Sequence, residues 1–155
     1  DPVTYTDPNV ILRFAEVVLN AAEANAQLGN LDAAVTLLNT VRDRALPESV
    51  PSFTAAGLGG QAGVLEAIYN ERRIEFLAEG RRWADIHRLS GAGVMDGVPL
   101  KATSRSITSI NFYDGTTAIP TDHAIEYSSH LFIWPIPLEE ILNNSTAPIE
   151  QNPGY

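Results

Sequence analysis

Glu71, Glu75 and Glu79 stand four residues apart, a spacing that would align three carboxylates along one helix face. Carboxylates so arranged could hold a metal ion or share a proton in general acid chemistry. Arg72, Arg82 and Arg88 recur near the same face, however, and Asp85 lies four residues beyond Arg81 and three before Arg88. Guanidinium groups this close would neutralise the acidic row and leave little unbalanced charge for catalysis. Glu71, Arg72, Glu75, Glu79, Arg82, Asp85 and Arg88 are therefore expected to form a structural ion-pair network that locks a bend at Gly80. Pairs Arg81–Asp85 and Asp85–Arg88 would support the arm beyond the bend, and no residue is assigned a catalytic role.

Other chemistry-bearing patterns are weaker. Gly57-x-Gly59-x-x-Ala62 matches a dinucleotide fingerprint in letters, but no strand precedes it and no acid follows at a strand end, so it reads as a flexible loop. His87, His123 and His130 are spaced unlike any helical metal pair, so no metal and no cofactor is expected. No Gly-x-Ser-x-Gly elbow activates a serine, and the absence of cysteine excludes thiolate chemistry. Phe112, Tyr113 and Asp114 in a loop, and Tyr127 before Ser128-Ser129-His130, could stack on a sugar ring and bond its hydroxyls. The competing reading is ordinary packing, which the weight of aromatics in small cores favours. Trp83 and Trp134, in apolar surroundings, are expected in the core.

The elements that would position these groups are mostly helical. Ile11, Ala15, Val18, Leu19, Ala22 and Ala26 recur at three- and four-residue steps, with Asp7 as N-cap and Pro8 in the first turn. Gly29 closes this helix in a left-handed conformation, and Asn30 caps a second one with apolar positions Leu31, Ala34, Val35, Leu38 and Val41. Residues 7–45 thus form a first helix pair, and 46–63, rich in Pro, Ser and Gly, form a loop. Residues 64–89 read as a second helical unit, buried at Leu65, Ile68, Tyr69, Phe76, Trp83, Ile86 and Leu89, and bent or broken at Gly80. Residues 90–155 form an irregular lobe, with short strands at most around 107–113 and 131–134 and a helical turn or two at 138–143.

The chain carries 19 acidic and 10 basic side chains in 155 residues, a net charge of −9 that argues against nucleic acid as a partner. With 45% hydrophobic residues it can build a packed core, and no run approaches the ~20 apolar residues of a membrane span. The first residue is Asp1 and the only methionine is Met95, so the chain is expected to be part of something longer.

Gly29-x-Leu31-x-x-Ala34-x-x-x-Leu38 resembles the turn and second helix of a tetratricopeptide unit, and Gly80-x-Arg82-x-Ala84-x-Ile86 echoes it 51 residues on. Three stretches in order also resemble the C-terminal region of the SusD/RagB family. These are 12–24 with Leu38-Asn39-Thr40-Val41-Arg42-Asp43-Arg44-Ala45; the run from Ile68 to Leu89 containing Glu71-Arg72-Arg73 and Glu79-Gly80-Arg81-Arg82; and Trp134-Pro135-Ile136-Pro137 with the closing Gln151-Asn152-Pro153-Gly154-Tyr155.

The resemblance covers residues 1–155 and implies a mainly α fold, with tetratricopeptide-like helix pairs plus a loop-rich C-terminal lobe. It further implies a non-enzymatic glycan-capture lipoprotein of the outer-membrane surface in Bacteroidetes, held by an N-terminal lipid anchor outside this chain. The partner so implied is a SusC-like TonB-dependent transporter, with this piece serving mainly as scaffold and docking part and the oligosaccharide bound through the full-length protein. Two other classes stay open. A tetratricopeptide-type protein-interaction module would show an exposed concave row of polar residues. An all-helical glycoside hydrolase would pair Glu139 or Glu140 with Glu79 or Asp85, carboxyls ~5–5.5 Å apart if retaining or ~6.5–9.5 Å if inverting.

Overall fold

The computed structural model describes residues 11–102, 121–122, 124–144 and 146–155. Its contacts divide the chain into two units, Asp1–Arg82 and Trp83–Tyr155.

In the first unit, α1 (Phe14–Gln27) and α2 (Leu31–Arg42) pack against each other and against α3 (Gln61–Glu75). Ala15, Val18, Leu19, Ala22 and Ala26 of α1 meet Ala34, Val35, Leu38 and Val41 of α2, with Val64, Ile68 and Phe76 completing one core. Small alanines at the contact let the axes approach, while Leu19, Leu38 and Ile68 fill the space between. The start of α1 differs from the sequence expectation: Arg13, in extended backbone, is the N-cap, and Ile11 is exposed. Asp7 and Pro8 lie outside the described residues.

The turn after α1 follows from its residues. Gly29 has φ +83°, its N–H donates to Ala26 O at 3.1 Å, and the Asn30 N–H donates to Asn25 O at 2.9 Å. These two bonds close a Schellman turn, which needs the left-handed residue that glycine supplies. Asn30 stands at the expected N-cap position of α2, but its side chain makes no cap bond. Gln61, at the start of α3, instead donates to the carbonyls of Ala26 at 2.7 Å and Gln27 at 3.2 Å, so one helix start satisfies another's orphan end.

The expected interruption at Gly80 is a complete break. α3 stops at Glu75, a turn spans Phe76–Gly80 with Ala78 at φ +64° and Gly80 at φ +74°, and α4 (Arg81–Gly91) begins.

In the second unit, Ile86 of α4 packs with Val98 and Phe132, flanked by Met95 and Ile125. Val98 and Ile125 exchange backbone hydrogen bonds at 2.8 and 3.0 Å, and the two-residue strands β1 (Lys101–Ala102) and β2 (Thr121–Asp122) pair antiparallel. The strand expected at 131–134 is instead a 3-10 turn at His130–Phe132, because Ser129 Oγ accepts from the Leu131 N–H and pulls the backbone round. The strand expected at 107–113 lies outside the described residues. α5 (Leu138–Asn143) forms as expected after Pro137.

Neither tryptophan is a core residue. Trp134 is 75% exposed, because its backbone is carried outward on a strap held from behind: Asn152 Nδ2 donates to Trp134 O, and Gln151 bonds both backbone groups of Ile136. Trp83 is 39% exposed and stacks one face on Phe132. The fold is mainly α, with helix pairs followed by a loop-rich lobe. Among the described residues no helix is long and apolar enough to cross a membrane.

Candidate functional site

Three clusters of polar and aromatic groups stand out, and the acidic row divides between two of them. Only Glu71 and Glu75 belong to α3, since Glu79 falls in the turn beyond its end. The turn nevertheless brings Glu79 and Glu75 to one guanidinium. Arg13 Nε donates to Glu79 Oε2 at 2.9 Å and Nη2 to Glu79 Oε1 at 2.8 Å, while further Arg13 bonds reach the carboxylate and carbonyl of Glu75. Arg44 also binds Glu75, and the Arg13 guanidinium lies 4.8 Å from the Phe76 ring centre. The cations that meet Glu75 and Glu79 are thus Arg13 and Arg44, in place of the expected Arg72, Arg82 and Arg88.

The electrostatics follow from that geometry. Burial alone would raise the Glu75 carboxyl, but hydrogen bonds from Arg13 and Arg44 outweigh it and hold the group below its ordinary value. The paired carboxylates hold Arg13 fully protonated.

The remaining cations are placed differently from expectation. Arg81 pairs with Glu16 at 3.1 Å and donates to the Ile11 carbonyl, so it does not serve Asp85. Arg72 is buried, donates to Asn20 Oδ1 and lies 5.3 Å from the Phe76 ring centre. Asp85 is buried and accepts from Arg88 Nε at 2.8 Å, the expected spacing of three, and Arg82 is half-buried. Arg13, Arg44 and Glu16 were missed by spacing rules because their partners lie 31 to 66 residues away in the chain.

Glu71 stands apart from the clamp. It faces a groove with Glu66, Asn70, Arg42 and Phe53, and burial followed by the charge of Glu75 pushes its carboxyl above the ordinary value. Arg42 lies over the Phe53 ring, 3.9 Å from its centre, and pairs with Asp43 at 2.7 Å.

The third cluster is aromatic. His87 meets Trp83, Phe132 and Tyr127 edge to face with ring centres 4.7, 5.1 and 6.0 Å away. Tyr127 is 39% exposed, so part of its ring is open to a ligand. Phe112, Tyr113 and Asp114, the other nominated sugar-stacking residues, lie outside the described residues, as does His123. Among the described residues no group of three or more His, Cys, Asp or Glu is arranged to hold a metal ion.

The SusD family model matches residues 2–155. SusD-like protein P38 of Formosa agariphila is 38% identical over 92 residues, covering 56% of this chain and 18% of its own length. SusD-like protein P25 of the same organism is 36% identical over 84 residues, covering 54% and 16%. Among solved structures, selenomethionine BT4246 superposes with a TM-score of 0.66 at 28% identity, over 96% of this chain and 25% of that one. The crystal structure of the SusD-like protein BF3747 from Bacteroides fragilis gives a TM-score of 0.58 at 27% identity, over 94% and 26%. The chain spans less than a fifth of the curated relatives and about a quarter of the solved chains.

Proposed function

The chain belongs to the SusD family, and from that premise we propose that it is part of a non-enzymatic component that captures glycans at the outer-membrane surface for uptake. Within that component, this piece serves mainly as scaffold and as the part that docks on a SusC-like TonB-dependent transporter. The oligosaccharide is bound through the full-length protein, which a lipid outside this chain anchors to the membrane.

The match of residues 2–155 to the family is the observation that carries this reading. The pairing of Glu79 and Asp85, the two carboxylates nominated above as hydrolytic partners of Glu139 or Glu140, supports it. A glycosidase needs one free acid and one free base facing a bond. Glu75 and Glu79 are instead gripped by arginines, and the buried Asp85 is held by Arg88.

The test is a glycan array with calorimetry on the complete protein that carries this chain, together with co-purification from outer membranes. Oligosaccharide binding without hydrolysis, and recovery with a TonB-dependent barrel, are expected. Hydrolysis of a bound glycan, or failure both to bind any glycan and to bring down a barrel, would overturn the reading.

A further inference from the structure

The chain holds two Asp-Gly pairs, Asp96-Gly97 in the second unit and Asp114-Gly115, which lies outside the described residues. At the first of them the fold calls for both residues. Gly97 has φ +69°, and a Cβ there would lie 2.0 Å from the Ile125 carbonyl oxygen and 2.7 Å from the Tyr127 nitrogen, so only glycine lets the two segments pass so closely. Asp96 Oδ1 accepts from the Tyr127 N–H at 3.0 Å, and Val98 exchanges backbone hydrogen bonds with Ile125.

An aspartate followed by glycine can cyclise, because glycine has no side chain to hinder attack by its own nitrogen. The Gly97 nitrogen would bond to Asp96 Cγ, and the hydroxyl of the protonated carboxyl would leave as water with the Gly97 N–H proton. Water then opens the succinimide at either carbonyl, restoring aspartate or leaving a β-linked isoaspartate of the same mass. The steps need no co-reactant but water. The isoaspartate carries one extra carbon in the backbone, so Gly97 and Val98 could no longer keep register with residues 125–127.

The structure engages both reacting groups elsewhere. The Gly97 N–H donates at 3.0 Å to Oγ of Ser90, a buried residue of α4, while the Asp96 carboxylate is bonded to Tyr127. The start of the loop is fixed too, since Gly93 N–H donates to Ser90 O at 3.0 Å and Val94 N–H to Leu89 O at 2.9 Å, closing the end of α4. We propose that Asp96-Gly97 is a latent site of spontaneous modification, held unreactive by Ser90 and the 125–127 segment, where isoaspartate forms when that contact opens by local unfolding. The proposal is independent of the glycan-capture reading.

Leu89–Lys101, bounded by Arg88 and Lys101, is a tryptic peptide with Asp96 as its single aspartate. The test incubates the chain and the free peptide of that sequence side by side at neutral pH and physiological temperature, then measures isoaspartate by chromatography and mass spectrometry after digestion. Accumulation in the folded chain should be at least about tenfold slower than in the peptide. Ser90→Ala should speed it several-fold in the chain while the circular dichroism spectrum stays unchanged. Asp96→Asn gives a second measurement should that variant fail to fold: its side chain still offers an oxygen to the Tyr127 N–H, and ring closure releases ammonia and changes the mass. It too should react at least about tenfold more slowly in the folded chain than in its own free peptide. Equal rates in chain and peptide for either residue, or a folded Ser90→Ala chain that isomerises no faster than the parent, would overturn the proposal.

Discussion

Arg13 meets Glu79 fork to fork, with Nε to Oε2 at 2.9 Å and Nη2 to Oε1 at 2.8 Å, across 66 residues of chain. The same guanidinium holds Glu75, so the residue that caps α1 also fixes the end of α3 and the turn leading to α4. Charged hydrogen bonds contribute ~1.5–3 kcal/mol each where water is excluded, and the Arg13 side chain is 28% exposed. Arg13→Ala should therefore cost about 1–3 kcal/mol. Arg13→Lys should recover only part of it, because an ammonium cannot present a planar fork. Urea denaturation of the two variants checks both numbers, and a lysine variant as stable as the parent would reduce the clamp to simple charge pairing.

The two halves of the acidic row should respond to pH with opposite sign. Glu75 is held below its ordinary value of 4.5, so in the folded state it binds fewer protons than in the unfolded chain. Its contribution is present above that value and lost as pH falls through the lower, folded one. Glu71 lies above 4.5, so its folded form binds more protons, and the stability it contributes at low pH is lost as pH rises through the raised value. Glu75→Gln should flatten the acid limb of a stability–pH curve, and Glu71→Gln should flatten the decline just above 4.5. Two variants changing the same limb would refute this division.

How far these relations could be read in advance depends on their range along the chain. The α1 and α2 core faces, the Schellman turn at Gly29 and the break at Gly80 arise from local periodicity and backbone sterics, and the structure reproduces them. The clamp does not arise locally. Glu71, Glu75 and Glu79 suggested one face, yet the helix ends at Glu75, and Arg13 reaches the row only because α1 packs on α3. Trp83 and Trp134 failed as core residues for a related reason. An indole in an apolar stretch signals burial only if packing turns it inward, and the bonds from Asn152 and Gln151 hold the backbone around Trp134 so that its ring faces out.

Gly63 should be intolerant of even one methyl group. Alanine normally gains about 1 kcal/mol over glycine inside a helix. Here the added Cβ would fall 1.7 Å from the Leu58 oxygen, so the loop must move, at a cost of ~1–3 kcal/mol for overpacking. Gly63→Ala should be neutral to destabilising overall and should shift the amide resonances of Leu58 and Gly59. Stabilisation by the full helix-propensity gain, with the loop resonances unmoved, would show that the contact yields freely.

Asn39 and Phe53 make the last relationship worth testing, because a side chain there imitates a strand. Asn39 Nδ2 donates to Phe53 O at 2.9 Å and the Phe53 N–H donates to Asn39 Oδ1 at 3.1 Å, satisfying both backbone groups of a loop residue from the last turn of α2. Asn39→Ala leaves both groups without that partner, but alanine also gains about 0.5 kcal/mol of helix propensity, so the net loss should be only ~1 kcal/mol. Hydrogen exchange at the Phe53 amide is the sharper measurement, and it should accelerate well beyond the change in global stability. Asn39→Asp separates the two bonds: a carboxylate still accepts from the Phe53 N–H but sets a negative charge against the Phe53 carbonyl. That variant should be less stable than Asn39→Ala at neutral pH and should recover as acid protonates the new carboxyl, which can then donate. An aspartate variant equal to the parent at neutral pH would mean that the donor half of the pair contributes nothing, and that the bond from the Phe53 N–H, with Arg42 stacked on the ring, suffices to hold the loop.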